Sequence, residues 1–158
     1  MFRSVRKKSN EITLEASKEL LTTARRGVLS LNGDDGYPYA IPINYLYDEV
    51  EQKIFFHGAK AGYKIDALKK SDKVCFTVYG NECIKEESWA PYLQSAIVFG
   101  RCHLIEDTDK GIKILKDFAM KYYPNEEMVE KQISISGKAT QMFEISIEFM
   151  SGKQIQEK

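Results

Sequence analysis

From Met142 to Met150, Phe143, Ile145, Ile147 and Phe149 alternate with Glu144, Ser146 and Glu148. That period of two is the mark of a strand buried on one face. Tyr37–Tyr47 repeats it, with every odd position aromatic or aliphatic and Pro38, Ala40, Pro42, Asn44 and Leu46 between. The apolar runs Val28–Leu31, Lys53–His57 and Val74–Tyr79, and the long stretch Tyr92–Ile105, supply four more strands, with Gly100 a candidate bend or bulge. Helical spacing takes over at Leu14, Leu20, Leu21 and Ala24, where Thr13 is available as N-cap, and at Ile65 and Leu68 within 62–70. It returns at Ile112, Leu115, Ala119 and Tyr122 within Asp107–Tyr123, a helix that Pro124 ends; Glu126–Lys131 adds a turn or two. Asn32–Gly36 is dense turn chemistry and predicts a hairpin. The polar turn 48–52 should return Lys53–His57 antiparallel to the strand before it. Pro38 and Pro42 cannot donate to a ladder, so each must sit at an edge, a bulge or a gap in pairing. Strict βαβ alternation is missing. The pattern predicts one α+β domain over residues 1–158, mainly β, with an antiparallel sheet closed or nearly closed into a barrel.

Composition narrows the function. Lysine plus arginine equals aspartate plus glutamate at 23 each, which argues against a dedicated nucleic-acid binder even though nine tyrosines could stack on bases. The apolar runs are far shorter than the roughly 20 residues a spanning helix needs. The basic N-terminus Met1–Lys8 has no apolar core of a signal peptide, so residues 1–10 read as a mobile tail and the protein as cytoplasmic. Cys75, Cys83 and Cys102 form no C-x-x-C pair, and with His57 and His103 they make no metal set.

The candidate chemistry gathers at residues 53–65. The run Ile54-Phe55-Phe56 ends at His57, and small residues follow, Gly58, Ala59, Ala61 and Gly62, before Lys64 opens a helix. A helix start with free N–H groups and a lysine is suited to a phosphate, although the glycine spacing is not that of a P-loop. His57 would then face the ligand, and Asn44 on the neighbouring strand could offer an amide to a planar heterocycle. No nucleophile elbow accompanies either histidine.

The segments 27–31, 36–47 and 54–66, with Pro-x-x-x-Pro-x-Asn-Tyr and Phe-His-x-x-x-x-Gly-x-Lys at this separation, resemble the pyridoxamine 5'-phosphate oxidase-like FMN-binding split barrels, and within them the nitroimidazole-resistance branch. Segments 95–101 and 145–153 are similar to that branch as well. The resemblance implies a six-stranded antiparallel split β-barrel with flanking helices, forming a homodimer with FMN at the subunit interface. It implies that His57 is catalytic and lies near the flavin ring, and that Lys64 with Gly58, Ala59 and Gly62 holds the phosphate. Pro42, Ile43, Asn44 and Tyr45 would line the ring, Ser95 would add a contact, and Trp89 and Tyr92 would cover the site. Tyr63 stands where relatives often carry an arginine, and the vitamin B6 substrate motifs of the true oxidases are not recognisable. The implied activity passes electrons from NAD(P)H through FMN to a small planar acceptor such as a nitroaromatic. A flavin- or haem-binding carrier or sensor without turnover is the alternative.

Overall fold

The computed structural model describes residues 2–86 and 90–156. In chain order they form β1 (Glu11–Ile12), α1 (Leu14–Thr23), β2 (Arg26–Asn32), β3 (Pro38–Asn44), β4 (Leu46–Asp48) and β5 (Lys53–Gly58). Then come α2 (Tyr63–Lys70), β6 (Lys73–Lys85), β7 (Ala90–Leu104), α3 (Thr108–Met120), α4 (Glu126–Ser136) and β8 (Gln141–Gln156). The strands run in the order β3-β2-β6-β7-β8-β5-β4, each antiparallel to its neighbour, with β1 beside β8. This is a mainly-β α+β fold with eight described strands rather than six. The two additional ones are β1, of two residues, and β4, of three. Neither is long enough to show a period of its own.

The expected strand Tyr37–Tyr47 is two strands. It breaks at Tyr45, so that β3 pairs with β2 while β4 pairs with β5. Only Leu46–Asp48 therefore lies against β5, where a longer return pairing was expected. β3 and β4 are the two edges of the ladder, which is not closed, yet a single residue joins them. Backbone dimensions hold the Cα atoms of Asn44 and Leu46 within about 7 Å, so the sheet has to curl until its edges meet at that corner. Both prolines sit on the edge strand β3; spaced four apart, they point their nitrogens the same way.

The core fills the curl. Leu20 and Leu21 of α1, Leu29, Ile54, Phe56, Phe76, Val78, Val98, Phe143 and Ile145 are buried together, each apolar side chain contributing about 1.5–3 kcal/mol relative to exposure. Thr13 caps α1 as expected, its hydroxyl accepting from Ala16 N–H at 3.1 Å. Gly27 leaves room for the Phe76 ring, which a Cβ would strike. The alternation in β8 does not run through. Phe99 faces Phe149 while Gly100 faces Ile147, so Glu148 is an extra residue on β8. That bulge reverses the strand's faces. Phe143 and Ile145 point into the core, Met150 packs on it, and Phe149 turns outward against Phe99. Phe2 stacks on Phe149 with centroids 5.1 Å apart and on Phe99 at 5.6 Å, so the N-terminal segment lies along this outer face.

Candidate functional site

β4 covers β5 only along Lys53–Phe55, and the edge of Phe56–Gly58 is open on that side. The other edge of the split is β3, where Pro42 has no N–H to offer. Between them lies a cleft of about 370 Å³ lined by Arg26, Pro42, Ile43, Asn44 and His57. The chain folds this way because Tyr45 anchors the corner. Its side chain is fully buried, its hydroxyl donates to Leu21 O at 2.5 Å, and its ring meets Phe76 edge-on. The Tyr122 hydroxyl, one turn past Phe118, accepts from Tyr45 N–H at 2.8 Å and lies within donating distance of Arg25 O (2.6 Å) and Tyr45 O (2.7 Å). Lys121 sits 4.2 Å over the Tyr45 ring and donates to Ala24 O at 2.9 Å. Burial, helped by the Arg25 charge, lowers its pKa to about 8.

His57, the penultimate residue of β5, has one side open to solvent, and its ring stands edge-on to Phe118 with centroids 4.9 Å apart. Desolvation there, and secondarily the charge of Lys64, lowers its pKa, so near neutral pH the imidazole is uncharged and can both donate and accept a hydrogen bond. Lys64 is half-buried, 5.1 Å and 4.8 Å from the centroids of the stacked Phe56 and Phe143 rings. Burial lowers its pKa too. It has no carboxylate partner among the described residues. Its Nζ lies 2.5 Å from where a Cβ on Gly58 would be, so that glycine leaves the ammonium its place. Ala59 is exposed in the loop, and Gly62 precedes α2 as its N-cap at φ +120° and ψ 177° with no side-chain cap bond. This backbone region is essentially open to glycine alone.

The structure thus brings Pro42, Ile43, Asn44 and His57 to one cleft; Gly58 follows His57 on β5, and Lys64 packs on Phe56 and Phe143, near enough for its charge to act on His57. Tyr45 is a core residue, its side chain and its backbone N–H both engaged within the protein. Ser95 lies elsewhere. It faces Lys153 on β8 while His57 faces Met142, roughly 36 Å apart along the strand. Ser95 lines a separate cleft of about 650 Å³ with Arg3, Arg6, Phe99 and Lys153. Tyr92 belongs to that end of β7, its hydroxyl accepting from Gln94 Nε2 at 2.9 Å; Trp89 is outside the described residues. Tyr63 turns away from the loop, its hydroxyl accepting from Asp34 N–H at 2.6 Å in the β2–β3 turn.

Arg26 is the member of the cleft that sequence reasoning missed, because Gly27 marked the start of the apolar run. Its signal was the hairpin register. Counting back from the turn at Asn32 and Pro38 sets Arg26 opposite Asn44, and its Nε donates to Asn44 Oδ1 at 3.2 Å. Among the described residues no His, Cys, Asp or Glu cluster could hold a metal ion, and no helix is long and apolar enough to cross a membrane.

The chain matches the pyridoxamine 5'-phosphate oxidase family over residues 13–154. No curated protein is significantly similar to it in sequence. Its fold is similar to that of a candidate 5-nitroimidazole antibiotic resistance protein from Bacteroides thetaiotaomicron, with a TM-score of 0.78, 18% identity and 92% of this chain and 87% of that chain covered. It is also similar to the flavocytochrome Anf3 from Azotobacter vinelandii, with a TM-score of 0.70, 19% identity and 96% and 72% covered. A FAD-binding protein from Mesorhizobium loti has a TM-score of 0.65 and 20% identity, with 92% and 96% covered. At such identities the likeness is one of fold.

Proposed function

Because the chain belongs to the pyridoxamine 5'-phosphate oxidase family, we propose that it is an FMN-binding flavoprotein acting as an oxidoreductase. The observation that carries the reading is the meeting of His57 with Pro42, Ile43 and Asn44 in the split between β3 and β5, beside an unpaired half-buried Lys64. The residues fit the group. Lys64 and the N–H groups of the Gly58–Gly62 loop suit a phosphate, since neither the ammonium nor the α2 start is satisfied by a side chain of the described protein. Pro42 and Ile43 offer an apolar surface to a planar ring, and Asn44 an amide to its polar edge.

Bound FMN supplies the capacity to take up electrons from NAD(P)H and release them to a small planar acceptor such as a nitroaromatic. The chain's own residues bind and orient. His57, uncharged near neutrality, holds a proton at one ring nitrogen and can move it at the open side of the cleft. A homodimer is part of the proposal. Tyr79, Ile97, Phe99 and Ile155 leave 37–61% of their surface exposed, on the sheet face where Ser95 also lies; a second copy there would bury them and bring Ser95 to the interface. The fold likeness to a flavocytochrome supports a second reading, a flavin or haem carrier without turnover, since among the described residues lining the cleft His57 alone has its ordinary pKa near neutral pH.

Two substitutions separate binding from chemistry. Lys64→Gln should weaken FMN uptake by the purified protein. His57→Ala should leave FMN content nearly intact and slow NAD(P)H-dependent reduction of a nitroaromatic at least about tenfold, in the range of one lost proton-transfer group. Equal turnover in wild type and His57→Ala would remove the catalytic role and favour the carrier.

A further inference from the structure

Arg26 carries the one permanent charge among the described residues that line the cleft. Arginine stays protonated at every pH a protein meets, whereas His57 beside it is uncharged near neutrality. Elsewhere in the fold an arginine is neutralised: Arg101 bridges Asp72 and Glu148. Among the described residues no carboxylate pairs with Arg26, and no acidic residue lines the cleft. The charge is also held in place. Its Nε donates to Asn44 Oδ1 at 3.2 Å, across the antiparallel register that sets the two residues opposite each other. The Tyr122 hydroxyl braces the backbone next to both, lying 2.6 Å from Arg25 O and accepting from Tyr45 N–H at 2.8 Å.

The same bond orients Asn44. An arginine nitrogen only donates, so the amide atom it meets is the oxygen. The Asn44 amide nitrogen and the terminal guanidinium nitrogens have no protein partner among the described residues. This pair therefore offers the cleft N–H donors and a positive charge, fixed before any ligand arrives. Such a lining discriminates between the two oxidation states of a flavin ring. A hydride from a reduced nicotinamide brings two electrons and one proton to a neutral ring, which leaves one negative charge on it unless a second proton follows. Preset donors stabilise a charge of that kind without reorganising, and a charge beside the ring is a lever on its electronics. We propose that Arg26 sets the reduction potential of the bound flavin, its guanidinium holding reduced FMN more tightly than oxidised FMN. The proposal rests on the flavoprotein reading and deepens it, because it makes Arg26 the residue that draws electrons onto the cofactor.

The test is the midpoint potential of FMN bound to wild type, Arg26→Gln and Arg26→Lys, measured against a reference dye. The dissociation constant of oxidised FMN and the thermal melting of each protein are recorded beside it. Arg26 is exposed, so neither substitution removes core packing and both variants should melt near wild type. Arg26→Gln should lose about tenfold or more of the preference for reduced over oxidised FMN, the range of one hydrogen bond to a charged group. For a two-electron couple each tenfold lowers the potential by about 30 mV. Arg26→Lys keeps the charge without the planar fork and should stay closer to wild type. Equal potentials in wild type and Arg26→Gln would overturn the proposal. So would an affinity loss in Arg26→Gln that is the same for both oxidation states, since the guanidinium would then serve the phosphate, whose charge reduction does not change. Wild-type protein that takes up no FMN refutes the flavin reading and this proposal together; FMN uptake with an unmoved potential refutes the proposal alone.

Discussion

Replacing Tyr122 with Phe removes one oxygen and leaves the ring against Phe118 and Lys121. That oxygen accepts from Tyr45 N–H at 2.8 Å and lies 2.6 Å from Arg25 O and 2.7 Å from Tyr45 O. The hydroxyl has one proton, so the variant loses one accepted bond and one donated bond. Each typical bond contributes about 0.5–1.5 kcal/mol net, and a donor left buried without a partner costs about 1–3 kcal/mol. Tyr45 is fully buried and its N–H lies at the corner between β3 and β4, so the expected loss is about 2–3 kcal/mol. For a domain of this size that is a fall in Tm of roughly 4–12 °C. The corner also carries Pro42–Asn44, so FMN affinity should fall with it. Thermal and urea unfolding of wild type and Tyr122→Phe, with FMN titration of each, would measure both. A Tm within 1 °C of wild type would refute the argument that this hydroxyl holds the corner.

Gly62→Ala forces a Cβ onto φ +120° and should cost about 1–3 kcal/mol. Gly58→Ala meets the movable end of Lys64 and should stay within about 1 kcal/mol while weakening FMN binding; a urea series on the pair checks the order. Burial lowers the folded pKa of Lys121 to about 8 from an ordinary value of 10.5. Between those values the unfolded chain binds more protons, so the group favours folding increasingly as pH rises. Urea midpoints for wild type minus Lys121→Met should therefore increase from pH 8 to pH 10, and a flat difference would contradict the burial argument. Burial pushes the Cys102 thiol up to about 12, whereas Cys83 is exposed. A thiol reagent at pH 8 should label Cys83 fast and Cys102 only on unfolding, as peptide mapping would show.

The fold class and the cleft's principal residues were legible because they depend on local pattern. Period two marked the long strands, Thr13 marked α1, and the loop after His57 combined small residues with a lysine. What was not legible depends on pairing across the chain. The break at Tyr45 leaves an unbroken alternation in sequence; it arises because the residue's side chain and N–H are drawn to Leu21 and Tyr122. The bulge at Glu148 sends Phe149 outward although its spacing continues that of Phe143 and Ile145. Arg26 is invisible until the hairpin register sets it against Asn44. The extension of β6 to Lys85 and of β8 to Gln156 runs through polar sequence, where ladder pairing with β7 sustains strands that no apolar period announces.

The visible absorption spectrum of the purified protein, with mass identification of whatever heat releases, tests the central claim most directly. The account predicts a yellow protein that releases FMN, or a colourless one that turns yellow on adding FMN and loses that capacity in Lys64→Gln. A colourless protein that takes up no FMN would contradict the assignment of His57, Lys64 and the loop between them.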